Sequence, residues 1–382
     1  MPDRAAAAGH PGGLGPLGRQ LEPPAFVLDV RPPGARPGPA RRAGSGAGAA
    51  SPAPSILLLS RSCDAEMDAV ARLLGRAGLR CARLDADQLG AADVLVDVTR
   101  GALRLNGRWL TPTVTWTRHF TGRAIAGPGG PARQAFTRDS WQALADELSL
   151  LSGVAVHREP PPGRLAQLRL AARLGIAVPR TVVSTDPGRD AAMVPGPRLV
   201  IKALDEHFVE AAPGRLTGVF PVLAGRRELP GGQAGPPVLL QEYIEHDREL
   251  RVYYLAGQLH GFEISRDAPA DPWLAPGRVQ ARCAVVPPAV AVAARRLVTA
   301  WSLRFGAFDF LLRDRAPVFL EANVTGDWRW AEALAGADPV TRAAARMLCD
   351  LHRAARPAGS GPDREPFDVL GFLSGRAAGP TS

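Results

Sequence analysis

The chain has 382 residues, of which 46% are hydrophobic and 22% charged, a balance typical of a globular protein with two or three domains. No apolar run approaches the ~20 residues that span a bilayer, and the N-terminus lacks a signal-peptide layout, so a cytoplasmic protein with no membrane partner is expected. The net charge is +9, but the arginines are spread along the chain and form no basic stripe, so no nucleic-acid partner is expected.

Both ends of the chain have the composition of unstructured segments. Residues 1–54 are rich in Ala, Gly, Pro and Arg, and residues 356–382 are similar. Such segments cannot bury enough apolar surface to offset the entropy of ordering, so we predict a disordered N-terminal tail and a flexible C-terminal tail. A start codon assigned too far upstream explains the first segment equally well.

The folded part begins with alternating strand and helix patterns. Residues 55–60 form an apolar run typical of a buried parallel strand, and residues 80–84 predict a second strand after an intervening helix. Shorter strands are predicted at 94–98, 102–105 and 114–118, with a hairpin turn at Asn106–Gly107. A strand-helix-strand opening of this kind indicates an α/β domain with an open sheet.

The rest of the folded part mixes helices with strands that are close in sequence. Helices are predicted at 140–151, 164–174 and 289–302. Extended segments are predicted at 176–183, 199–202, 238–242, 250–255, 259–264, 305–312 and 317–322. Because several strands follow one another directly, this part is expected to be of the α+β class.

The use of lysine and asparagine is unusual. The chain has 46 Lys and Arg residues, but its only lysine is Lys202, and its only asparagines are Asn106 and Asn323. If coding bias replaced lysine by arginine elsewhere, the remaining lysine marks a position that needs a compact ammonium; chance survival is the alternative. Lys202 ends an apolar strand, where its ammonium can reach a phosphate.

Three oxygen-bearing side chains interrupt two apolar strands near the end of the folded part. Asp309 lies in the first strand, and Glu321 and Asn323 are two residues apart on the second, so they share a sheet face. If the strands form a hairpin, the three side chains converge and suit one or two Mg²⁺ ions that bridge ATP phosphates. The alternative is a half-exposed hairpin whose polar residues face outward.

Other polar residues suit a nucleotide. The segment Gln241–Ile244 ends a strand and can bind an adenine edge through backbone groups. Glu249 and Arg251 alternate with apolar residues, so they share a face and can meet a ribose hydroxyl and a phosphate; a solvated strand face is the alternative. The glycine-bearing loop at 205–225 can cover phosphates with backbone amides, but it matches no phosphate-loop pattern.

The order of these residues resembles the ATP-grasp superfamily. More narrowly, it resembles the ATP-grasp ligases that mature ribosomally made peptides, the graspetide or microviridin-type maturases. The resemblance is carried by residues 164–181, 241–254 and 319–330 and by the short segment 115–119. It implies an ATP-grasp fold, of α/β class with an α+β C-terminal part. A pre-ATP-grasp domain would occupy residues 55–150 and the ATP-grasp domain residues 151–355, with the nucleotide between its two subdomains.

The resemblance also implies site residues, with ATP and Mg²⁺ as cofactors. It implies catalytic roles for Arg251 and Lys202, and Mg²⁺ ligands at Asp309, Glu321 and Asn323. The implied nucleotide contacts are Arg164, Lys202, Gln241, Glu242, Tyr243, Ile244 and Glu249. Arg164 departs from the family pattern, in which a lysine is usual. Further departures, which concern the substrate more than ATP, are His157–Arg158, Val324–Thr325 and Arg329.

The implied activity is that of a peptide maturase. A Glu or Asp side chain of a precursor peptide, made of leader plus core, would be phosphorylated by ATP and then joined to a hydroxyl or an amine. A ligase that joins a free amino acid or other amine to a carboxylate is the first alternative. A non-catalytic nucleotide- or peptide-binding scaffold is the second. The sequence leaves open whether the chain forms a homodimer.

Overall fold

The computed structural model describes residues 26–29, 52–127, 129–157, 162–204, 207–229, 231–232 and 234–356. Most of both predicted tails and Arg158 lie outside these residues, as do residues 205–206 of the predicted phosphate-covering loop. Among the described residues, no helix is long and apolar enough to cross a membrane.

The described chain contains strands β1 to β18 and helices α1 to α8. The strands are Phe26–Asp29, Ala53–Ser60, Cys81–Asp85, Val94–Asp97, Ala102–Leu105, Arg108–Thr117, Val154–Ala155, Thr181–Ser184, Arg198–Lys202, Phe208–Ala212, Arg215–Gly218, Val222–Gly225, Val238–Glu242, Arg248–Leu255, Gln258–Ser265, Gln280–Ala284, Phe305–Arg313 and Ala316–Asn323. The helices are Ala65–Arg76, Pro131–Leu151, Arg164–Arg173, Pro187–Asp190, Asp271–Leu274, Pro288–Ala300, Arg329–Ala335 and Pro339–Ala355.

The N-terminal sheet has the predicted open α/β arrangement. Its strand order is β3-β2-β6-β5-β4, and β7 also pairs with β6. Strand β2 is parallel to both β3 and β6, whereas β4 with β5 and β5 with β6 form antiparallel pairs. The turn between β5 and β6 is the predicted hairpin, since both Asn106 and Gly107 have positive φ.

Two elements of this region are longer than the sequence pattern predicts. The strand expected at 114–118 begins at Arg108 and runs through Pro112, and the helix expected at 140–151 begins at Pro131. The strand accommodates the proline where its register with β2 shifts, between Ser55 and Ile56. Proline lacks a backbone donor, so such an irregularity is where a strand tolerates it.

A five-stranded antiparallel sheet, in the order β16-β15-β14-β17-β18, follows later in the chain. Its last two strands, β17 and β18, form a hairpin, and β17 also pairs with β14. The hairpin closes through Asp314 and Arg315, both of which have positive φ without being glycine. Helix α8 packs against both this sheet and the N-terminal sheet, and its buried residues include Val340, Ala344 and Leu348.

The remaining strands form two smaller sheets. One is a four-stranded sheet in the order β12-β9-β13-β8, and the other is a three-stranded sheet in the order β1-β11-β10. By its internal contacts, the chain divides into two compact units. The four-stranded sheet belongs to the unit that contains Arg180–Val209 and Thr217–Tyr243, and the five-stranded and N-terminal sheets belong to the other unit.

Candidate active site

Three charged side chains form one row across the five-stranded sheet. Arg251 on β14 is directly opposite Asp309 on β17, and Asp309 is directly opposite Glu321 on β18. Residues that are opposite each other in antiparallel strands point to the same face, so the three side chains project together. Asn323 lies one row further along, opposite Ala307. The two strands therefore form the hairpin on which the predicted convergence depends, with Asp309 beside Glu321 and Asn323 next to them along the strands.

Arg251 connects this row to the loop that follows β18. Its Nη1 donates to both carboxylate oxygens of Asp309 at 3.2 Å, and its Nε donates to the Tyr253 hydroxyl at 2.9 Å. The Tyr253 hydroxyl in turn donates to the backbone oxygen of Asp327 at 2.7 Å. The guanidinium of Arg251 is therefore held from two directions, by the Asp309 carboxylate and by the hydroxyl of Tyr253, which is fully buried.

Glu321 is held from the side of helix α3. Nε of Arg164, the first residue of this helix, lies 3.1 Å from Oε2 of Glu321. Asn323 is exposed, and its Oδ1 accepts hydrogen bonds from the backbone nitrogen of Thr325 at 2.9 Å and from its hydroxyl at 3.0 Å. Each of the two carboxylates therefore has an arginine partner, whereas the amide faces solvent.

The Asp309 carboxyl is costly to ionise in this environment. Burial and the nearby charge of Glu321 raise the pKa of this carboxyl, the charge of Arg251 lowers it, and the net result is a pKa of about 6. A cation that approaches the two carboxylates would favour the ionised form in the same way as Arg251 does.

The donor set fits Mg²⁺ because all of its protein atoms are hard oxygens. Asp309 and Glu321 provide carboxylate oxygens, and Asn323 provides an amide oxygen. Among the described residues, no group of three or more His, Cys, Asp and Glu side chains could hold a metal ion. A cation at this row would therefore depend on phosphate oxygens and water for its remaining ligands, which is the usual situation of Mg²⁺ in nucleotide sites.

Glu249, predicted to contact a ribose, lies on β14 two residues before Arg251 and is almost fully buried. Its carboxylate binds Arg266 in a bidentate pair, with distances of 2.8 and 2.6 Å. A sugar hydroxyl at Glu249 must therefore share the carboxylate with this arginine. Ile244 is also buried, and it packs with Leu311 and Val318 of the hairpin.

The other predicted nucleotide residues lie in the four-stranded sheet. Lys202, at the end of β9, is opposite Leu239 on β13 and so shares a sheet face with Gln241. Gln241 is buried, and its Nε2 donates to Oγ1 of Thr181 at 3.1 Å. Lys202 and Gln241 therefore lie on one face of this sheet, and their roles in a nucleotide site stay a prediction.

Glu242 and Tyr243 end this sheet. Glu242 exchanges two hydrogen bonds with the main chain of Arg180: its backbone nitrogen donates to the Arg180 oxygen at 2.8 Å, and its Oε2 accepts from the Arg180 nitrogen at 3.0 Å. The guanidinium carbon of Arg198 lies 4.3 Å from the centre of the Tyr243 ring. Both side chains are therefore fixed close to the end of β13.

Arg118 is a further candidate site residue that the sequence pattern did not predict. Its guanidinium is fully buried; it donates to Asp64 at 3.3 Å, to the backbone oxygen of Gly326 at 3.3 Å and to Asp327 at 2.8 Å. It also lies 4.7 Å from the centre of the Trp328 ring. The available signal was an arginine at the end of the strand predicted at 114–118, within the segment 115–119.

Asp327 also went unpredicted. Its Oδ1 is 2.9 Å from Nε2 of His119. Burial opposes ionisation, but the hydrogen bond and charge of His119, together with Arg118, lower the pKa of Asp327 to about 2. The loop after β18 is thus tied to the N-terminal sheet by a carboxylate that stays ionised at neutral pH.

No protein-family model and no curated protein matches the chain. Solved structures do match it. The macrocyclase MdnC bound with precursor peptide MdnA from Microcystis aeruginosa MRC has a TM-score of 0.63 at 19% identity, covering 78% of this chain and 99% of that one. The ATP-grasp ligase PsnB, complexed with a phosphomimetic variant of its minimal precursor, Mg and ADP, has a TM-score of 0.61 at 18% identity, covering 78% and 99%.

A third similar structure is a RiPP-associated ATP-grasp ligase from Chryseobacterium gregarium in complex with ADP and a leader and core peptide. Its TM-score is 0.59 at 16% identity, with 78% of this chain and 96% of that chain covered. The chain thus spans nearly the whole length of all three proteins and has the ATP-grasp fold. This confirms the predicted fold class.

Proposed function

We propose that this chain is an ATP- and Mg²⁺-dependent ligase that forms ester or amide crosslinks in a ribosomally made precursor peptide. The observation that carries the proposal is the row of Arg251, Asp309 and Glu321 on one face of the five-stranded sheet. Support for a peptide substrate comes from the three structures of the same fold, each of which contains a precursor or a leader and core peptide.

The proposed reaction has two steps. An oxygen of a Glu or Asp side chain in the peptide attacks the γ-phosphorus of ATP, which gives an acyl phosphate and releases ADP. A Ser or Thr hydroxyl, or a Lys amine, of the same peptide then attacks the acyl carbon. The attacking group loses a proton and inorganic phosphate leaves, so each bond removes one water from the peptide. Holding both groups of one peptide makes the second step effectively unimolecular.

In this proposal Arg251 is a catalytic cation. Its Nη1 is already directed at Asp309, and its Nε is anchored on a buried hydroxyl, so its position costs no reorganisation when charge develops on a transferred phosphoryl group. A guanidinium also presents planar, paired donors that match phosphate oxygens. Lys202 and Arg164 contact ATP phosphates, and Lys202 is the second catalytic cation.

The remaining roles concern metal and nucleotide. When bound at Asp309, Glu321 and Asn323, Mg²⁺ neutralises charge on the phosphate oxygens of ATP. Gln241, Glu242, Tyr243 and Ile244 contact the adenine, and Glu249 contacts the ribose. We also place the enzyme in the cytoplasm as a part of the proposal, because the reaction consumes ATP.

The proposal is tested by incubating the purified chain with MgATP and the short peptides encoded beside its gene, followed by mass spectrometry. We expect one of these peptides to lose one water for each bond formed, and we expect no loss when ATP is omitted or when Asp309→Asn replaces the wild type. Release of ADP and phosphate with free amino acids, and with none of the peptides, would favour the amino-acid ligase instead.

A further inference from the structure

We propose that the side-chain amide of Gln167 positions the magnesium ligands Glu321 and Asn323 by clamping the main chain of the residue between them, Ala322. The inference rests on the proposed function, because it concerns the metal site of the same reaction. Gln167 touches neither reacting groups nor proposed ligand atoms, so its role is that of a positioning residue.

The clamp consists of three hydrogen bonds from one buried amide. Oε1 of Gln167 accepts from the backbone nitrogen of Ala322 at 2.8 Å, and Nε2 donates to the backbone oxygen of Ala322 at 2.9 Å. Nε2 also donates its second hydrogen to the backbone oxygen of Pro162, with a distance of 2.8 Å between nitrogen and oxygen. Only 7% of Gln167 is exposed, so these bonds are shielded from competing water.

The geometry explains why a glutamine suits this position. β18 is the last strand of its sheet, and the backbone nitrogen and oxygen of Ala322 point to the same lateral side of the strand. A side-chain amide offers one acceptor and one donor, the same pair that a neighbouring strand would present. Gln167 therefore replaces a strand at this residue, while Ala177 bonds to the same strand edge at Phe319.

The clamp acts on both ligands through planar peptide groups. The nitrogen of Ala322 belongs to the peptide group that joins it to Glu321, and its oxygen belongs to the peptide group that joins it to Asn323. Because each peptide group is planar, fixing these two atoms restricts the backbone torsions on both sides of Ala322. The directions in which Glu321 and Asn323 project are restricted with them.

Two features of the local structure explain why Glu321 and Asn323 need this restriction. The register between β17 and β18 shifts between Asp309 and Phe310, so Leu320 is an extra residue directly before Glu321. A bulge of this kind lets a strand bend, and a second support is then needed to aim the side chains that follow. The same helix supplies Arg164, which lies one turn before Gln167 and pairs with Glu321.

The experiment measures metal binding without turnover. The variants Gln167→Met and Gln167→Glu are titrated with Mn²⁺ in the presence of ADP, and free Mn²⁺ is followed by its EPR signal. Met keeps the length of the side chain and removes all three bonds. Glu keeps an acceptor for the Ala322 N–H, loses both donor bonds and adds a negative charge that by itself would strengthen cation binding.

We expect both variants to bind Mn²⁺ about 10-fold or more weakly than the wild type, which is the usual effect of losing a residue that orients metal ligands. ADP affinity without metal should stay within about twofold in Gln167→Met, since this variant removes no nucleotide contact and adds no charge. The matched control is Gln142→Met, because Gln142 is a helical glutamine that also accepts from a backbone nitrogen, that of Gly122, at 3.0 Å. This control should bind Mn²⁺ like the wild type.

Unchanged Mn²⁺ affinity in Gln167→Met, or unchanged or tighter binding in Gln167→Glu, would overturn the clamp. If Gln167→Met does not fold, the Glu variant decides alone, because lost positioning and added charge predict opposite changes. A wild-type chain that binds Mn²⁺ and ADP but modifies no peptide would overturn the proposed function and leave the clamp intact.

Discussion

The five-stranded sheet and the four-stranded sheet present their candidate residues in different ways. In the five-stranded sheet, Arg251, Asp309 and Glu321 are neighbours across three strands, and each is held by an ion pair. In the four-stranded sheet, Gln241 and Glu242 are held by hydrogen bonds to Thr181 and Arg180 at the end of one strand. The first arrangement fixes charges against each other, and the second fixes polar groups against the main chain.

The difference has consequences for how substitutions should act. Removing a charge from the row leaves its partner buried and uncompensated, so the effect should spread along the row. Removing a side chain from the four-stranded sheet leaves backbone pairing in place, so the effect should be confined to ligand contacts.

The largest effect is expected for Asp309→Asn. It keeps the shape of the side chain but removes a magnesium ligand and the partner of Arg251, so peptide-dependent ATP turnover should fall by about 10³-fold. A matched control is Asp314→Asn at the tip of the same hairpin, where φ is +51° and asparagine is well tolerated. Turnover of Asp309→Asn within tenfold of the control would contradict the assignment.

Lys202 tests the four-stranded sheet. Lys202→Ala should lower turnover by about 10²-fold, because an ammonium aimed at a phosphate is lost. Lys202→Arg should recover only part of this activity if a compact cation is required. Arg227→Ala, an exposed cation of the same unit, is the control for net charge and should match the wild type. Equal phosphate release by Lys202→Ala and the wild type would remove this lysine from the site.

Much of this site was accessible from the sequence, because alternation along strands determines which side chains share a face. The spacing of Glu321 and Asn323 predicted a shared face, and a hairpin was stated as the condition under which Asp309 joins them. The bulge at Leu320 was not predicted, since nothing in the local pattern marks an extra residue.

Contacts between distant segments were also beyond sequence reasoning. Arg118 bonds to Asp327, and Gln167 bonds to Ala322, although each pair is far apart in the chain. A single sequence does not show whether a glutamine on a helix is buried or exposed, because glutamine is common on exposed helix faces. Only the packing of α3 against β18 distinguishes them.

A smaller effect is expected for Gly326→Ala, in the loop after β18. A Cβ at this glycine would lie 2.6 Å from Cβ of Ala307 and 3.0 Å from Nη2 of Arg251. Relief of this overlap should displace Arg251 and reduce the free energy of unfolding by about 1–3 kcal/mol. Gly277→Ala is the control, because no atom lies within 4 Å of the added Cβ. Equal denaturant midpoints for the two variants would contradict this prediction, since the loop would then accommodate the added Cβ without loss of stability.

The smallest effect concerns His157, which follows β7. Burial lowers its pKa to about 4, and its Nε2 has no hydrogen-bond partner among the described residues. The unfolded chain therefore binds more protons than the folded chain between about pH 6.5 and 4, and the free energy of unfolding falls as pH drops through this range. Because His157 as a whole is only partly buried, we expect this residue to account for about 1 kcal/mol of the loss.

The acid sensitivity is measured by denaturant unfolding at pH 7 and pH 4.5 for the wild type and His157→Gln. The variant should lose less stability between the two pH values than the wild type, since glutamine does not titrate. An equal loss in both proteins would assign the acid sensitivity to other groups.

The central claim is the transfer of phosphate to a peptide carboxylate, and labelling of the carboxylate oxygens with ¹⁸O tests it most directly. A precursor peptide that the enzyme crosslinks is prepared in its uncrosslinked form with ¹⁸O in its Asp and Glu carboxylates. It is incubated with the enzyme and MgATP, and the released inorganic phosphate is analysed by mass spectrometry. An acyl phosphate carries one carboxylate oxygen on phosphorus, so one ¹⁸O should appear in phosphate for each bond formed. Crosslinked peptide accompanied by unlabelled phosphate would contradict the account.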